Sequence, residues 1–112
     1  MTIQITKLSA DFSTSPQITT EDVVELAELG FKTIINNRPD NEGGADQPIS
    51  TQLQAAAEAA GLAYIHIPVI PNNIQPAQVD TFCAAYHAAE KPVLGFCRTG
   101  NRAGSIYKLS QS

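Results

Sequence analysis

Apolar residues along this chain fall into short continuous blocks and longer stretches with helical spacing, and the two kinds of run alternate. "ITTEDVVELAELGF", from Ile18 to Phe31, predicts a helix with Thr19 or Thr20 as N-cap, acids in its first turn and Gly30 as its stop. "KTIIN", from Lys32 to Asn36, reads as a buried strand. The polar, Gly- and Pro-rich stretch from Asn37 to Pro48 is a loop, and "STQLQAAAEAAG" is a second, Ala-rich helix ended by Gly61. "LAYIHIPV" is a second strand and "PNNIQ" a loop. Pro76 then opens a third helix that sets Val79, Phe82, Cys83 and Tyr86 on one face. "PVLGF" is a third strand, followed by a last helix from about Asn101 towards Leu109. Near the start, "IQITKL" and "DFS" read as short strands that extend the sheet at an edge.

Alternating strands and helices imply an α/β fold, a mainly parallel sheet flanked by helices with right-handed crossovers. Ligands of such sheets bind beyond the carboxyl ends of the strands. Three polar loops should meet there: Asn37–Glu42, Pro71–Gln75 and Cys97–Arg102.

The bulk numbers narrow the function. A chain of 112 residues is one domain, spanning 1–112. Its 43% hydrophobic and 16% charged content suits a globular protein. A net charge of −4 argues against nucleic acid or an anionic membrane as partner, so anion chemistry requires a local positive pocket. No apolar run reaches membrane-spanning length and "MTIQITKLSA" lacks the pattern of a signal peptide, so the expected location is cytoplasmic. There Cys83 and Cys97 should be reduced. With neither a CxxC pair nor a His/Cys cluster, the sequence calls for no metal and no cofactor.

The candidate chemistry lies in "PVLGFCRTGNRAGS", from Pro92 to Ser105. A strand, a short Gly-containing loop and a helix start together form an anion cradle, in which loop N–H groups and the helix dipole favour a thiolate. Cys97 is the nucleophile of this reading and Arg102 its fixed, forked cation. Arg98, Thr99, Gly100 and Asn101 form the substrate-binding wall, Gly100 supplying a backbone conformation most residues resist. Cys83, on the apolar face of the third helix, reads as packing.

Together, "LSADFSTSPQIT", "GFKTIINNRPDNE", "AAAEAAGLAYIHIPV" and "PVLGFCRTGNRAGSIYKL" resemble the bacterial DUF442 family. Its phosphatase-like domains occur alone or joined to metallo-β-lactamase-fold modules in beta-lactamase hydrolase-like proteins. The resemblance, from about residue 5 to 109, implies a fold like that of dual-specificity protein tyrosine phosphatases, with a cysteine loop that reads like a rhodanese's. Relatives usually continue beyond the loop helix, so a chain ending at Ser112 is either a minimal form or a piece cut at its C-terminus.

The two chemistries want different loops. Protein tyrosine phosphatases carry Cys-x5-Arg followed by Ser or Thr; here Cys97 to Arg102 is Cys-x4-Arg, and Ala103 follows. The shorter loop matches the six-residue loop of rhodaneses, which cradles one sulfane sulfur. A phosphatase also needs a general acid. The loop after the second strand holds none, Asp80 lies a turn into the next helix, and Asp40 or Glu42 could serve only if their loop folds over the pocket. The expected reaction is therefore ping-pong sulfur transfer through a Cys97 persulfide. The donor would be thiosulfate, glutathione persulfide or a protein persulfide, and the acceptor cyanide, a thiol or sulfite. The alternatives are a cysteine-dependent phosphatase with a shortened loop, or a non-catalytic persulfide- or anion-binding module. Such a module would serve a partner, for instance a sulfur-oxidising metallo-β-lactamase-fold enzyme.

The "NRPDNE" loop offers Arg38 and Asp40 as a second, substrate-binding wall, or as an ion pair that braces the loop. His66 reads as a packed, hydrogen-bonded strand histidine rather than a helper of the thiol, His87 as solvated, and Tyr107 as packing.

Overall fold

The computed structural model describes residues 3–111. Five strands, β1 (Thr6–Lys7), β2 (Phe12–Ser15), β3 (Thr33–Asn36), β4 (Ala63–His66) and β5 (Val93–Phe96), form one sheet in the order β1-β2-β5-β3-β4. All pairings are parallel except β1 with β2. The helices are α1 (Thr20–Glu28), α2 (Ser50–Ala59), α3 (Pro76–Ala88) and α4 (Asn101–Gln111). The mainly parallel α/β architecture expected from the sequence is the one observed. As expected, the two short strands near the start extend the sheet at one edge, β2 beside β5 and β1 outermost.

Period-2 alternation in the central strands feeds two cores. Ile34, Leu94 and Phe96 pack with Val23 and Leu26 of α1 and Leu53 and Ala57 of α2. On the other face Phe12, Ile35 and Val93 pack with Phe82 and Tyr86 of α3 and Ile106 of α4. A close approach explains Gly95: a Cβ there would lie 2.7 Å from Cζ of Phe12. That Phe12 ring stacks on Tyr107 at 4.2 Å, and the Tyr107 hydroxyl donates to Oγ of Ser9 at 3.0 Å, so Tyr107 is packing, as expected.

The helix punctuation follows the sequence. Thr19 is the N-cap of α1 in a reciprocal capping box with Asp22, and Gly30 follows the helix at φ 99°. Pro76 opens α3, and Lys91 Nζ closes it by donating to the carbonyls of Tyr86, His87 and Ala89. Cys83 is half-buried rather than in the core, its thiol directed at the Ser110 carbonyl (3.7 Å) in the seam between α3 and α4. His87 is exposed. Among the described residues no helix is long and apolar enough to cross a membrane.

The strand order places the site. From β3 the chain crosses through α2 to β4 on one side, then returns through α3 to β5 on the other. Such a reversal opens a crevice at the carboxyl ends of the two central strands. Asn36 and Phe96 are register partners at those ends, and the Asn37 N–H donates to the Phe96 carbonyl at 2.8 Å. The loops after Asn36 and Phe96 therefore start side by side.

Candidate active site

Cys97 is the first residue after the central strand and is fully buried. Its Sγ accepts the backbone N–H of Gly100 at 3.1 Å. Gly100 takes φ 95°, a region closed to most side chains, with Ser15 O 3.4 Å from where a Cβ would stand. Its carbonyl accepts the Gly104 N–H at 3.0 Å, so α4 starts directly over the sulfur and turns the positive end of its dipole towards it. Thr99 Oγ1 accepts the Asn101 N–H at 3.3 Å. The side chains of Arg98, Thr99 and Asn101 are exposed at the rim. A cleft of about 350 Å³ opens there between Arg98, Asn101 and Arg102 on one side and Pro71, Asn72 and Ile74 on the other.

Arg102 lies in the first turn of α4, its side chain only 9% exposed. Its Nη1 donates to Glu42 Oε2 at 2.8 Å and to the Val69 carbonyl at 2.9 Å, and its Nη2 to Glu42 Oε1 at 2.7 Å. This is the forked geometry a guanidinium offers a carboxylate. The pKa of Arg102 is raised above its already high value, first by the hydrogen bonds to Glu42 and further by its closeness to Cys97. It is a permanent cation.

The loop after β3 folds over this cation. Arg38 is buried, 8% exposed in its side chain, and donates from Nε to Glu42 Oε1 at 2.9 Å and from Nη1 to Gln17 Oε1 at 2.9 Å. Glu42 thus bridges both arginines, and hydrogen bonds from Arg102, then Arg38, hold its carboxyl below the usual 4.5 despite partial burial. The loop is shaped for that contact. Asn41 takes φ 68°, and a Cβ on Gly43 would lie 2.6 Å from Nη2 of Arg38. Gln47 clasps the loop by accepting the Gly43 N–H and donating to the Pro39 carbonyl.

The structure sets Arg102 beside Cys97 and joins Arg38 to Arg102 through Glu42, but it does not bring Asp40 to the site. The carboxylate of Asp40 accepts the Ser50 N–H at 2.8 Å, which caps the start of α2. The Arg38–Asp40 brace is replaced by Arg38–Glu42, because four residues of tight loop return Glu42, not Asp40, towards Arg38. His66 is the hydrogen-bonded strand histidine expected, its Nε2 2.9 Å from the Arg38 carbonyl.

Two contributors escape a reading of the sequence. Gln17 straps the two loops, its side chain on Arg38 and its N–H donating to the Arg98 carbonyl at 3.2 Å. Asn37, fully buried, donates from Nδ2 to the Ile67 carbonyl, and its Oδ1 is a buried acceptor with no hydrogen-bond partner. Neither position carries a motif; only the strand register places them beside the loop.

The chemistry available is that of a shielded nucleophile. Sγ sits on a backbone donor and at a helix N-terminus, with a permanent cation alongside.

Residues 4–112 match the family described as "Beta-lactamase hydrolase-like protein, phosphatase-like domain". A beta-lactamase hydrolase-like protein of Xylella fastidiosa is 38% identical over 109 residues, 97% of this chain but 25% of that protein, so the chain spans a quarter of that relative's length. A crystal structure of a candidate phosphatase from Neisseria meningitidis superposes with a TM-score of 0.87 at 41% identity, covering 96% of this chain and 75% of that one. The catalytic core of the PP-IP phosphatase SIW14 from S. cerevisiae, 17% identical, superposes with a TM-score of 0.72 over 91% of this chain and 60% of that one, a likeness of fold alone. On fold, site and sequence together, the chain belongs to the phosphatase-like domains of the beta-lactamase hydrolase-like protein family.

Proposed function

We propose that the domain is a sulfurtransferase that carries a sulfane sulfur on Cys97. The observation that carries this reading is the size of the loop: four residues separate Cys97 from Arg102, and the loop closes on Sγ through the Gly100 N–H at 3.1 Å. A ring this tight suits one added sulfur atom better than the three oxygens of a phosphoryl group. Glu42 supports the same reading. It is the acid that the folded-over loop brings to the site, yet both arginines hold it ionised, and an ionised carboxylate cannot protonate a leaving oxygen. Sulfur chemistry needs no such acid, because sulfite and thiolates leave as anions.

In the first half-reaction the Cys97 thiolate attacks the outer sulfur of the donor. The new S–S bond forms as the donor's own S–S bond breaks, and the electron pair leaves on sulfite or on the donor thiolate. The Cys97 persulfide stays in the cradle as an anion. In the second, an acceptor nucleophile takes the outer sulfur and the electron pair returns to Cys97. Each half-reaction conserves charge and needs no outside oxidant. Arg102 steadies the loop and offsets the charge on the sulfur, while exposed Arg98, at the mouth of the cleft, guides an anionic donor.

A second reading, a cysteine-dependent phosphatase with a shortened loop, draws on different observations: the family's phosphatase-like description and the Neisseria relative's standing as a candidate phosphatase. The relatives named above favour this second reading, and none of them speaks for sulfur transfer. One assay pair separates the two. With thiosulfate and cyanide the protein should release thiocyanate, with background rates in Cys97→Ser, while an aryl phosphate should turn over no faster with wild type than with Cys97→Ser. Cys97-dependent release of phosphate without thiocyanate would reverse the assignment.

A further inference from the structure

We infer that Glu42 is a specificity-determining residue that turns the site against dianions and towards sulfur carried singly charged on an organic thiol. The inference rests on the sulfurtransferase reading for its substrate class, but its charge argument stands on geometry alone.

Two buried guanidiniums, one of them beside the nucleophile, would ordinarily make a strong seat for a phosphate or thiosulfate dianion. Here Glu42 sits on both, with Oε1 on Arg38 Nε and Arg102 Nη2 and Oε2 on Arg102 Nη1, all within 2.9 Å. It cancels one of the two charges and takes the forked end of Arg102 that an oxyanion would use. With Cys97 as thiolate, the two cations and two anions sum to zero. A dianion then meets no net attraction and must compete with a carboxylate already in place. A monoanionic organic persulfide loses less by that cancellation, and the cleft beside the loop gives its carbon part Pro71 and Ile74 to lie against, with Arg98 at the rim. The contact is built rather than incidental: Asn41 at φ 68°, Gly43 pressed against Arg38 and the Gln47 clasp all hold Glu42 in this position.

The test compares wild type with Glu42→Gln and Glu42→Asp at about pH 8, using inorganic phosphate, largely dianionic there, as an unreactive anion. The first readout is protection of Cys97 from alkylation by iodoacetamide. Phosphate should slow alkylation of Glu42→Gln at concentrations at least about tenfold lower than those that affect wild type, the equivalent of about one lost opposing charge interaction. Glu42→Asp, which keeps the charge, should behave like wild type. The second readout is the ratio of kcat/KM for thiosulfate to that for cysteine persulfide, whose net charge is −1, and it should rise by roughly the same factor in Glu42→Gln. Equal protection of wild type and Glu42→Gln would overturn the inference. So would a Glu42→Gln protein that is no better protected and transfers sulfur more slowly from both donors in equal proportion, since Glu42 would then only position Arg102. The alkylation readout does not involve sulfur transfer. Tighter phosphate without any sulfur transfer would refute the sulfurtransferase reading and leave the charge role standing, and the converse result would do the opposite.

Discussion

Gly100 and Arg102 act on the sulfur by different means, and substitutions separate them. Alanine at position 100 would be forced into φ 95° with Ser15 O 3.4 Å from its Cβ, at about 1–2 kcal/mol of strain. Relaxing that strain moves the N–H off Sγ, so Gly100→Ala should lower both the melting temperature and the rate of Cys97 alkylation; an unchanged alkylation rate would contradict the role given to that N–H. Arg102→Lys keeps a charge but cannot fork onto Glu42 while also reaching the Val69 carbonyl. It should fold and lose roughly ten- to hundredfold in kcat/KM, in line with removing charge-assisted hydrogen bonds of about 1.5–3 kcal/mol; full activity would contradict the account. Glu42 adds a pH signature. Its carboxyl titrates below 4.5 in the fold, so the stability from its bridge is present in full above the unfolded value and is lost as pH falls through the folded one. The melting temperature of wild type should exceed that of Glu42→Gln near neutral pH, by a modest margin for a partly exposed carboxylate, and the gap should close as the pH falls through the lowered folded value. A gap that persists in acid would sink the bridge as its cause. Cys97, Arg102 and Gly100 were legible in the sequence because their neighbours in the chain define their setting. Glu42 was readable only as an acid that would reach the pocket if its loop folded over, while Gln17 and Asn37 act across loops distant in sequence with no local pattern to mark them.

The elements are set by local signals that agree with the tertiary structure. The α1 capping box satisfies backbone donors at a helix start that packs under β3 and β5. Thr19→Ala should cost about 1 kcal/mol in denaturant unfolding without touching sulfur transfer, which separates stability from chemistry. Helix boundaries were readable from Thr19, Gly30, Gly61 and Pro76 because caps and breakers work within a few residues. The edge position of β1 and β2 was readable too, but not that β2 is the one paired with β5. The four residues of β2, "FSTS", carry a weak apolar signal, and its inner position depends on Val93–Phe96 pairing along its other edge. The Asn37–Pro48 loop was readable as a loop but not in its path, which depends on Asn41 at positive φ and on close contact between Gly43 and Arg38.

At the scale of the whole molecule, the order β1-β2-β5-β3-β4 puts the central strand's next residue, Cys97, at the base of a loop that, with the loop after β4, lines a cleft. A net charge of −4 coexists with a buried pair of arginines, so the site's electrostatics are local and are decided by Glu42 rather than by the surface. The sheet and its helices place a cysteine and an arginine as in the phosphatase-like fold, and on the proposed reading loop length and one carboxylate would select the group transferred. The central claim is that this group is a single sulfur on Cys97. Intact mass after a stoichiometric dose of thiosulfate or glutathione persulfide tests it most directly, with Cys97→Ser and Cys83→Ser alongside. The account predicts a gain of one sulfur atom in wild type and Cys83→Ser, none in Cys97→Ser, and complete discharge by cyanide. No gain from either donor, or a gain that survives in Cys97→Ser, would contradict it.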